Sequence, residues 1–408
     1  MNTQTAIRLA LGIPIFALLC ALIISGGLAD HFSRTDPIRS LYWRSNQPEA
    51  LLAAGSERNS ENDPAHAKSY LARAIEANPL DGRGYGGLAI LQQKENEASS
   101  RNLMKQAASR SPRNLLIRYW LMQYAIADGN YDDLMSQVDV MLRINPALAD
   151  GFVPALEMMS QDPKGEVALA RVFASAPAWR EPIWINICKR GKVTIAAATK
   201  LVNDITQGGM PLTRLEHMAW VERLIAAREW QAAFAAWSAT LAPGDVAPAN
   251  NVYDGSFQRT PQNAGFGWRI FHVDGATAEQ RTEMDVPYLH LAFDDRRVPF
   301  DYVSQLLVLQ PGKYLLRGRV RSDGLRSERG LQWTVSCAEG SQTRIAESER
   351  FTGAFQWRDF KFGFAVPAES CRAQWLLLQI AARIPAERQI GGEMDFTDLR
   401  IEPAETSK

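Results

Sequence analysis

Hydrophobic and polar positions follow three successive patterns along the chain. The segment from Leu9 to Leu28 is almost wholly apolar and carries no charge, and a run of about 20 such residues is long enough to cross a bilayer as a helix. From about Asp36 to Leu241 apolar residues recur at helical spacing. Beyond residue 250, short runs alternate between apolar and polar residues, as half-buried strands do. We therefore expect an apolar helix, a helical part and a β part.

The apolar segment at residues 1–29 is open to two interpretations. Its length favours a retained membrane anchor, whereas the small residues of Gly27–Ala29 before Asp30 would suit a signal peptidase. Three arginines follow it: Arg34, Arg39 and Arg44. The positive-inside rule would place these arginines in the cytoplasm, but long domains translocate despite such charges. We expect a retained anchor with the body outside the cytoplasm, because the C-terminal part of the chain has an extracytoplasmic character.

Prolines divide the helical part at regular intervals. The breaks at Asn78-Pro79, Ser111-Pro112 and Asn145-Pro146 set the prolines 33 and 34 residues apart, which is the period of a tetratricopeptide helix-turn-helix array. Counting back from Pro79 gives residues that suit the packing of two such helices: Gly55, Ala67, Leu71 and Ala74. Residues 30–245 therefore resemble a tetratricopeptide repeat domain.

A helical array of this kind leaves a groove that holds a protein partner. Four aromatic residues are expected to fill its core: Trp120, Tyr131, Trp230 and Trp237. Gly82–Gly87 satisfies the dinucleotide-binding pattern G-x-G-x-x-G. No strand is predicted before it, so we expect no nucleotide and no other cofactor.

The β part follows a passage rich in Pro, Gly and Ala at 242–249, where we place the domain boundary. Alternating residues such as Leu331, Trp333 and Val335 predict strands with one buried face. The number of short strands favours an antiparallel jelly-roll β-sandwich of about eight strands over residues 250–408. We expect Trp333, Trp357 and Phe362 to lie in its core.

Four segments carry a family resemblance. They are Asn251–Phe257, Val308–Tyr314, Phe355–Pro367 and Met394–Leu399. In this order they resemble landmarks of galactose-binding-like carbohydrate-binding modules, which implies a jelly-roll fold and a carbohydrate ligand. An anchored repeat array joined to such a module resembles proteins of bacterial exopolysaccharide synthesis systems, which implies an anchor in the bacterial inner membrane and a body in the periplasm.

Sugar rings have apolar faces that stack on exposed aromatic side chains, beside groups that bind the hydroxyls. In the Gly-flanked stretch around residue 268, Trp268 and Arg269 are the first candidates, with Phe266 and Tyr302 at the same rim. The alternative is that Trp268 covers the core. The polar run Asp294–Arg297 would line this rim or form a solvated loop.

Composition excludes some functions. Lys plus Arg and Asp plus Glu number 45 each, so no net field attracts nucleic acid. The four cysteines and five histidines show no zinc-ligand spacing. We expect Cys20 and Cys188 to be buried thiols, and Cys337 and Cys371 to form a disulfide outside the cytoplasm.

No catalytic motif is evident in the sequence. A glycoside hydrolase needs two carboxylates that face one bond, and the nominal candidates show no pairing: Asp294, Asp295, Glu347 and Glu349. The sequence predicts a non-catalytic adaptor that binds a protein through its helices and polysaccharide through its sandwich. A scaffold without sugar binding, or a polysaccharide hydrolase, remains the alternative.

Overall fold

The computed structural model describes residues 3–242, 251–340 and 343–404, and their side chains from residue 14 onward. The chain forms two compact units. The first comprises Met1–Ile183 with Asn203–Met210, and the second comprises Trp184–Val202 with Pro211–Lys408. Most of the predicted linker at 242–249 lies outside the described residues.

The first unit is helical, and two of its helices also contribute residues to the second unit. The helices before the sandwich are α1 (Thr3–Phe32), α2 (Pro37–Trp43), α3 (Pro48–Ser60), α4 (Pro64–Ala77), α5 (Gly82–Gln92), α6 (Glu97–Arg110), α7 (Leu115–Ala127), α8 (Tyr131–Ile144), α9 (Ala149–Met159), α10 (Pro163–Ala174), α11 (Arg180–Arg190), α12 (Ile195–Gln207), α13 (Arg214–Ala226) and α14 (Trp230–Ser238).

Helices α3 to α8 form three consecutive pairs, as the proline spacing predicts. Helices α4, α6 and α8 each end one residue before a predicted break. Each second helix begins at a side-chain cap, because Asp63, Asn96 and Asn130 accept a hydrogen bond from the backbone N–H three residues on. These pairs build a helical solenoid; membership of the tetratricopeptide family stays a prediction.

Small residues let paired helices approach closely. Ala67 and Ala74 are buried, and a Cβ on Gly55 would lie 2.8 Å from Leu71 Cγ. Gly84 serves the same purpose, because a Cβ there would lie 2.8 Å from Ile75 Cγ1. The G-x-G-x-x-G stretch is thus part of helix α5, whose glycines permit helix packing rather than forming a loop after a strand.

The second unit contains a β-sandwich. Its strands within the described residues are β1 (Arg269–Ile270), β2 (Ala276–Glu283), β3 (Val286–Arg297), β4 (Val303–Leu307), β5 (Gly312–Ser327), β6 (Leu331–Cys337), β7 (Arg344–Glu347), β8 (Gly353–Val366), β9 (Gln374–Ile380) and β10 (Gln389–Pro403).

These strands pair antiparallel in two sheets. The first sheet has the order β1-β4-β9-β6-β7, and the second has the order β2-β3-β10-β5-β8. Alternate residues of both sheets point inward to one shared core, in which Trp333 and Phe396 are fully buried and Phe362 is nearly so. The predicted sandwich is confirmed, with ten described strands where about eight were expected.

The cysteines divide into a bonded pair and two free thiols. Cys337 at the end of β6 forms a disulfide with Cys371, with the two Cα atoms 4.9 Å apart. Cys188 is buried, and that burial raises the pKa of its thiol to about 12, so it is unreactive at neutral pH. Cys20 was expected to be buried but is partly exposed on α1.

The two compact units do not divide at residues 242–249, because Trp184–Val202 and the chain from Pro211 onward belong with the sandwich. Helices α13 and α14 belong to the compact unit that contains the sandwich, not to the helical array. The ring of Trp237 lies 4.9 Å from that of Tyr253 and 5.7 Å from that of Phe266. Trp230 donates from Nε1 to Glu339 at 2.7 Å. These tryptophans, expected to fill a repeat, are instead buried against the sandwich.

Candidate functional site

The structure corrects the predicted role of Trp268. Its side chain is only 2% exposed, and its ring stacks on Phe257 at 4.8 Å and approaches Trp333 at 5.9 Å. The Nε1 group of Trp268 donates to the backbone carbonyl of Asp254 at 2.9 Å. Trp268 is therefore a core residue, and the alternative interpretation from the sequence is the right one.

The neighbouring candidates also have structural partners. Phe266 is 2% exposed because it packs on Phe234 and Trp237 of α14. Arg269 donates from Nη2 to Glu222 of α13 at 2.8 Å, so it anchors a helix to the sandwich. Tyr302 is partly buried against the core. The expectation that these residues form an open platform is wrong.

Gly265 explains why this loop is covered. It has a φ of +61°, and a Cβ there would lie 2.4 Å from Cδ1 of Trp237. Only glycine permits such close approach in that backbone conformation. The glycines that suggested an open loop instead let α14 pack onto it.

The acidic candidates are distributed over the sandwich surface, each close to an arginine. Asp294–Arg297 form the exposed end of β3. The nitrogen–oxygen distances are 4.0 Å for Asp294 with Arg296, 3.3 Å for Asp295 with Arg326, 3.0 Å for Glu347 with Arg344, and 2.9 Å for Glu349 with Arg358. Among the described side chains, no three His, Cys, Asp or Glu residues are grouped to hold a metal ion.

The solvent-facing side of the second sheet carries a different set of residues, which we term the outer face. Because side chains alternate along a strand, Leu289 and Leu291 of β3 enter the core, and Tyr288 and His290 point the other way. The same alternation places further residues of three other strands on the outer face. They are Arg317, Arg319 and Arg321 of β5, Trp357, Asp359 and Lys361 of β8, and Asp395 and Thr397 of β10.

Three polar side chains form a row across this face. Strand pairing sets Asp395 opposite both His290 and Arg321. Asp395 Oδ1 lies 2.7 Å from His290 Nδ1, and Arg321 donates from Nε to Asp395 Oδ2 at 2.5 Å and from Nη1 to Glu283 at 2.5 Å. Burial opposes the charge of Arg321, but these two carboxylates raise its pKa above the ordinary value. The guanidinium is thus charged and held in place.

Two neighbouring aromatic rings lie beside the fixed arginine. The Cζ atom of Arg321 lies 4.9 Å from the ring centroid of Tyr288 and 4.9 Å from that of Trp357. The two rings meet edge to face at 6.0 Å, and Arg319 also lies 5.5 Å from the Trp357 ring. Tyr288 is buried, whereas Trp357 is partly exposed. The outer face therefore presents an aromatic surface beside oriented hydrogen-bond donors.

The outer face continues as a polar cleft of about 470 Å³. Its polar lining consists of Arg317, Arg319, Glu349, Asp359, Lys361, Asp398 and Arg400. Glu402 lies 3.1 Å from Arg317 and 3.0 Å from Arg400. Cations and carboxylates are interspersed here, so the cleft offers many donors and acceptors without a strong field of one sign.

Sequence reasoning placed Trp357 in the core with Trp333 and Phe362, and for Trp357 this is wrong. The alternation along β8 already indicated this. Phe360, Phe362 and Phe364 are core residues at even-numbered positions, whereas Trp357 is at an odd-numbered position and so belongs to the opposite face of the strand. A register shift between β8 and β5 near Ser322 breaks the simple alternation there. Phe355, also odd-numbered, consequently packs against the core, which obscures the pattern.

Comparisons with known proteins give only distant similarity. No protein-family model matches the chain, and no curated protein matches it. A solved CBM4 structure is 12% identical over 38% of this chain and 99% of that chain, with a TM-score of 0.30. The CBM22-1 xylan-binding domain from Paenibacillus barcinonensis Xyn10C is 12% identical over 38% and 94%, with a TM-score of 0.25. The enzymatically active domain of bacteriophage CBA120 tailspike protein 4 is 10% identical over 39% and 22%, with a TM-score of 0.29.

Proposed function

We propose that this chain is a membrane-anchored, non-catalytic adaptor that binds polysaccharide on the outer face of its second sheet. The helical array holds a protein partner, and the setting is exopolysaccharide assembly or export in the bacterial periplasm. The observation that carries the proposal is the Arg321 guanidinium, which Asp395 and Glu283 fix beside the touching rings of Tyr288 and Trp357.

This arrangement suits a sugar chain for two reasons. The apolar face of a pyranose ring gains stacking contact on a partly exposed indole such as that of Trp357. The hydroxyl groups can bind arginine donors and carboxylate acceptors that already hold one another in place. These protein side chains therefore lose little conformational freedom on binding. Because Arg317, Arg319 and Arg400 have carboxylate neighbours, the face suits a hydroxyl-rich ligand better than a simple polyanion.

Two features support a retained anchor. The helix over Pro14–Phe32 is long and apolar enough to cross a membrane, although a signal sequence passes the same test. Ala29, after which a signal peptidase would cut, is fully buried within α1, and its carbonyl accepts a hydrogen bond from Ser40 Oγ at 2.6 Å. Cleavage after Ala29 would remove this acceptor and leave a buried hydroxyl unpaired.

The disulfide supports the periplasmic location. Bonds such as that between Cys337 and Cys371 persist in oxidising compartments and are rare in the cytoplasm. The arginines that follow α1 argue for the opposite orientation, but a long translocated domain overrides their effect.

A groove in the helical array supports a protein partner. It has a volume of about 260 Å³ and is mostly apolar. Its residues come mainly from the first helix of each pair, including Leu52 and Gly55 of α3, Gly86 and Ile90 of α5, and Leu116 and Trp120 of α7. In solenoids the corresponding surface is the usual site of partner binding.

The sugar-binding proposal is tested by comparing Trp357→Ala with Trp375→Ala. Trp375 is a matched control, because it is also partly exposed but lies on β9 of the first sheet, with Arg269 Cζ at 5.6 Å from its ring. The full-length protein is run in affinity gels that contain neutral or uronate-containing polysaccharides, including that of the source bacterium.

We expect Trp357→Ala to weaken retardation by at least about tenfold in apparent affinity, which corresponds to about 1.4 kcal/mol. Trp375→Ala should bind like the wild type. Equal losses in both variants would place the sugar elsewhere. Folded wild-type protein that binds none of the polysaccharides would favour the scaffold without sugar binding, and turnover of a polysaccharide would favour the hydrolase.

A further inference from the structure

The short helix α2 combines one buried contact with exposed apolar residues. Its Ser40 is fully buried against α1, to which it donates the bond to the Ala29 carbonyl. Three large apolar residues of α2 remain exposed nevertheless: Ile38, Tyr42 and Trp43 are 46%, 83% and 41% exposed. The rings of Tyr42 and Trp43 lie 5.7 Å apart. Folded chains usually bury such residues, and a group of them left exposed indicates a surface that something else covers.

Three arginines lie around these exposed apolar residues. Arg34, Arg39 and Arg44 are all exposed, and the Cζ atom of Arg39 lies 4.3 Å from the ring centroid of Phe32. Three carboxylates lie near these cations. Asp36 accepts the Arg39 backbone N–H, and Asp30 accepts a hydrogen bond from Gln47. Glu49 is bound by Arg83, and its pKa is lowered by that hydrogen bond and also by the charge of Arg34. Tyr and Trp beside arginines form the composition found where a membrane protein meets lipid headgroups.

The contacts of α1 set the height of α2 relative to the apolar helix. The uncharged run ends at Leu28, and Ser40 binds the carbonyl of the next residue, Ala29. Since a helix rises about 1.5 Å per residue, this contact lies within about 2 Å of the end of the apolar run along the helix axis. If α1 crosses a bilayer, α2 lies where hydrocarbon gives way to headgroups.

We propose that α2 is a lipid-docking element that binds anionic phospholipid. Ile38, Tyr42 and Trp43 enter the interfacial layer, and Arg34, Arg39 and Arg44 contact the headgroup phosphates. This inference rests on the proposed anchoring of α1. The protein would then contact the membrane through both α1 and α2. This second contact would restrict the motion of the first helix pair relative to the bilayer.

The test measures the depth of single spin labels on the full-length protein in vesicles. Cys20 is replaced by Ala, and Cys188 stays because its buried thiol, with a pKa of about 12, does not react. Labels are placed by Tyr42→Cys, by Ile23→Cys as the anchor reporter, and by Leu80→Cys as the aqueous reference. Ile23 and Leu80 are 72% and 80% exposed, so labels there disturb little packing. Collision rates with oxygen and with a water-soluble nickel chelate report depth.

In phosphatidylcholine vesicles containing phosphatidylglycerol, the label at 42 should show a severalfold higher oxygen-to-nickel ratio than the label at 80. The label at 23 should show the highest ratio. If the label at 42 matches that at 80 while the label at 23 lies in hydrocarbon, lipid docking by α2 is overturned and anchoring stands. If the label at 23 is aqueous, the anchoring itself fails.

A second comparison tests whether docking of α2 requires anionic lipid. Without phosphatidylglycerol the label at 42 should become shallower and more mobile, and Arg34→Gln, Arg39→Gln and Arg44→Gln combined should have the same effect in mixed vesicles. A position at residue 42 that depends neither on phosphatidylglycerol nor on these arginines would overturn the assignment of an anionic lipid.

Discussion

Replacement of Trp268 by alanine should strongly destabilise the sandwich. The indole is 2% exposed, stacks on Phe257 and lies beside Trp333. Loss of such a ring costs about 3–5 kcal/mol through the cavity it leaves. The lost hydrogen bond to the Asp254 carbonyl adds about 1 kcal/mol. The sum corresponds to a fall in melting temperature of roughly 10–20 °C for a unit of this size.

Scanning calorimetry of the full-length protein gives the measurement. The transition of the sandwich is identified as the one that moves when the disulfide is reduced, and the transition of the helical array serves as an internal reference. Trp333→Ala should behave like Trp268→Ala. Trp357→Ala should cost only about 1–2 kcal/mol, because its ring is partly exposed. If Trp268→Ala melts within a few degrees of the wild type and Trp357→Ala does not, the assignment of the two faces is reversed.

Three other results are expected. Reduction of Cys337–Cys371, which are 34 positions apart, should destabilise the sandwich by about 3–4 kcal/mol, and calorimetry in which no transition moves on reduction would contradict this. Glu49 and Asp81 both accept hydrogen bonds from Arg83. The bond to Arg83 lowers the pKa of Glu49. Burial raises the pKa of Asp81, but its hydrogen bonds with Arg83 outweigh that effect, so the net shift of this pKa is also downward. Their stabilisation is present above the ordinary values of 4.5 and 3.8 and is lost as pH falls through the depressed folded values. The difference in unfolding free energy between wild type and Arg83→Met should therefore shrink below about pH 4 in denaturant titrations, and a constant difference would refute the role of the pair. Intact mass of membrane-extracted protein should include α1, whereas a chain that starts at Asp30 would show cleavage.

Local patterns in the sequence predicted most of the fold. Proline spacing located three helix breaks, and alternation located the core residues Trp333 and Phe362, because periodicity directly reflects which side of an element is buried. The pairing of Cys337 with Cys371 also agrees with the structure. The helix breaks and the alternation are set by short stretches of the chain, so a single sequence reveals them.

The site could not be predicted in the same way because it depends on packing between distant segments. The stretch around Trp268 resembles an open loop, but Trp237 of α14 lies over Gly265 and covers it. The outer face combines residues far apart in sequence, since Asp395 contacts His290 and Arg321 only after β10 pairs with β3 and β5. Strand order, which a single sequence does not reveal, creates the cluster.

Fluorine NMR on protein labelled with 5-fluorotryptophan tests the central claim most directly. The chain has eleven tryptophans, and the resonances of Trp357, Trp375 and Trp333 are assigned by replacing each with phenylalanine. On titration with fragments of the source bacterium's exopolysaccharide, the Trp357 resonance should shift or broaden in a saturable manner, while those of Trp375 and Trp333 stay in place. A saturable change at Trp375 with none at Trp357 would contradict polysaccharide binding on the outer face of the second sheet.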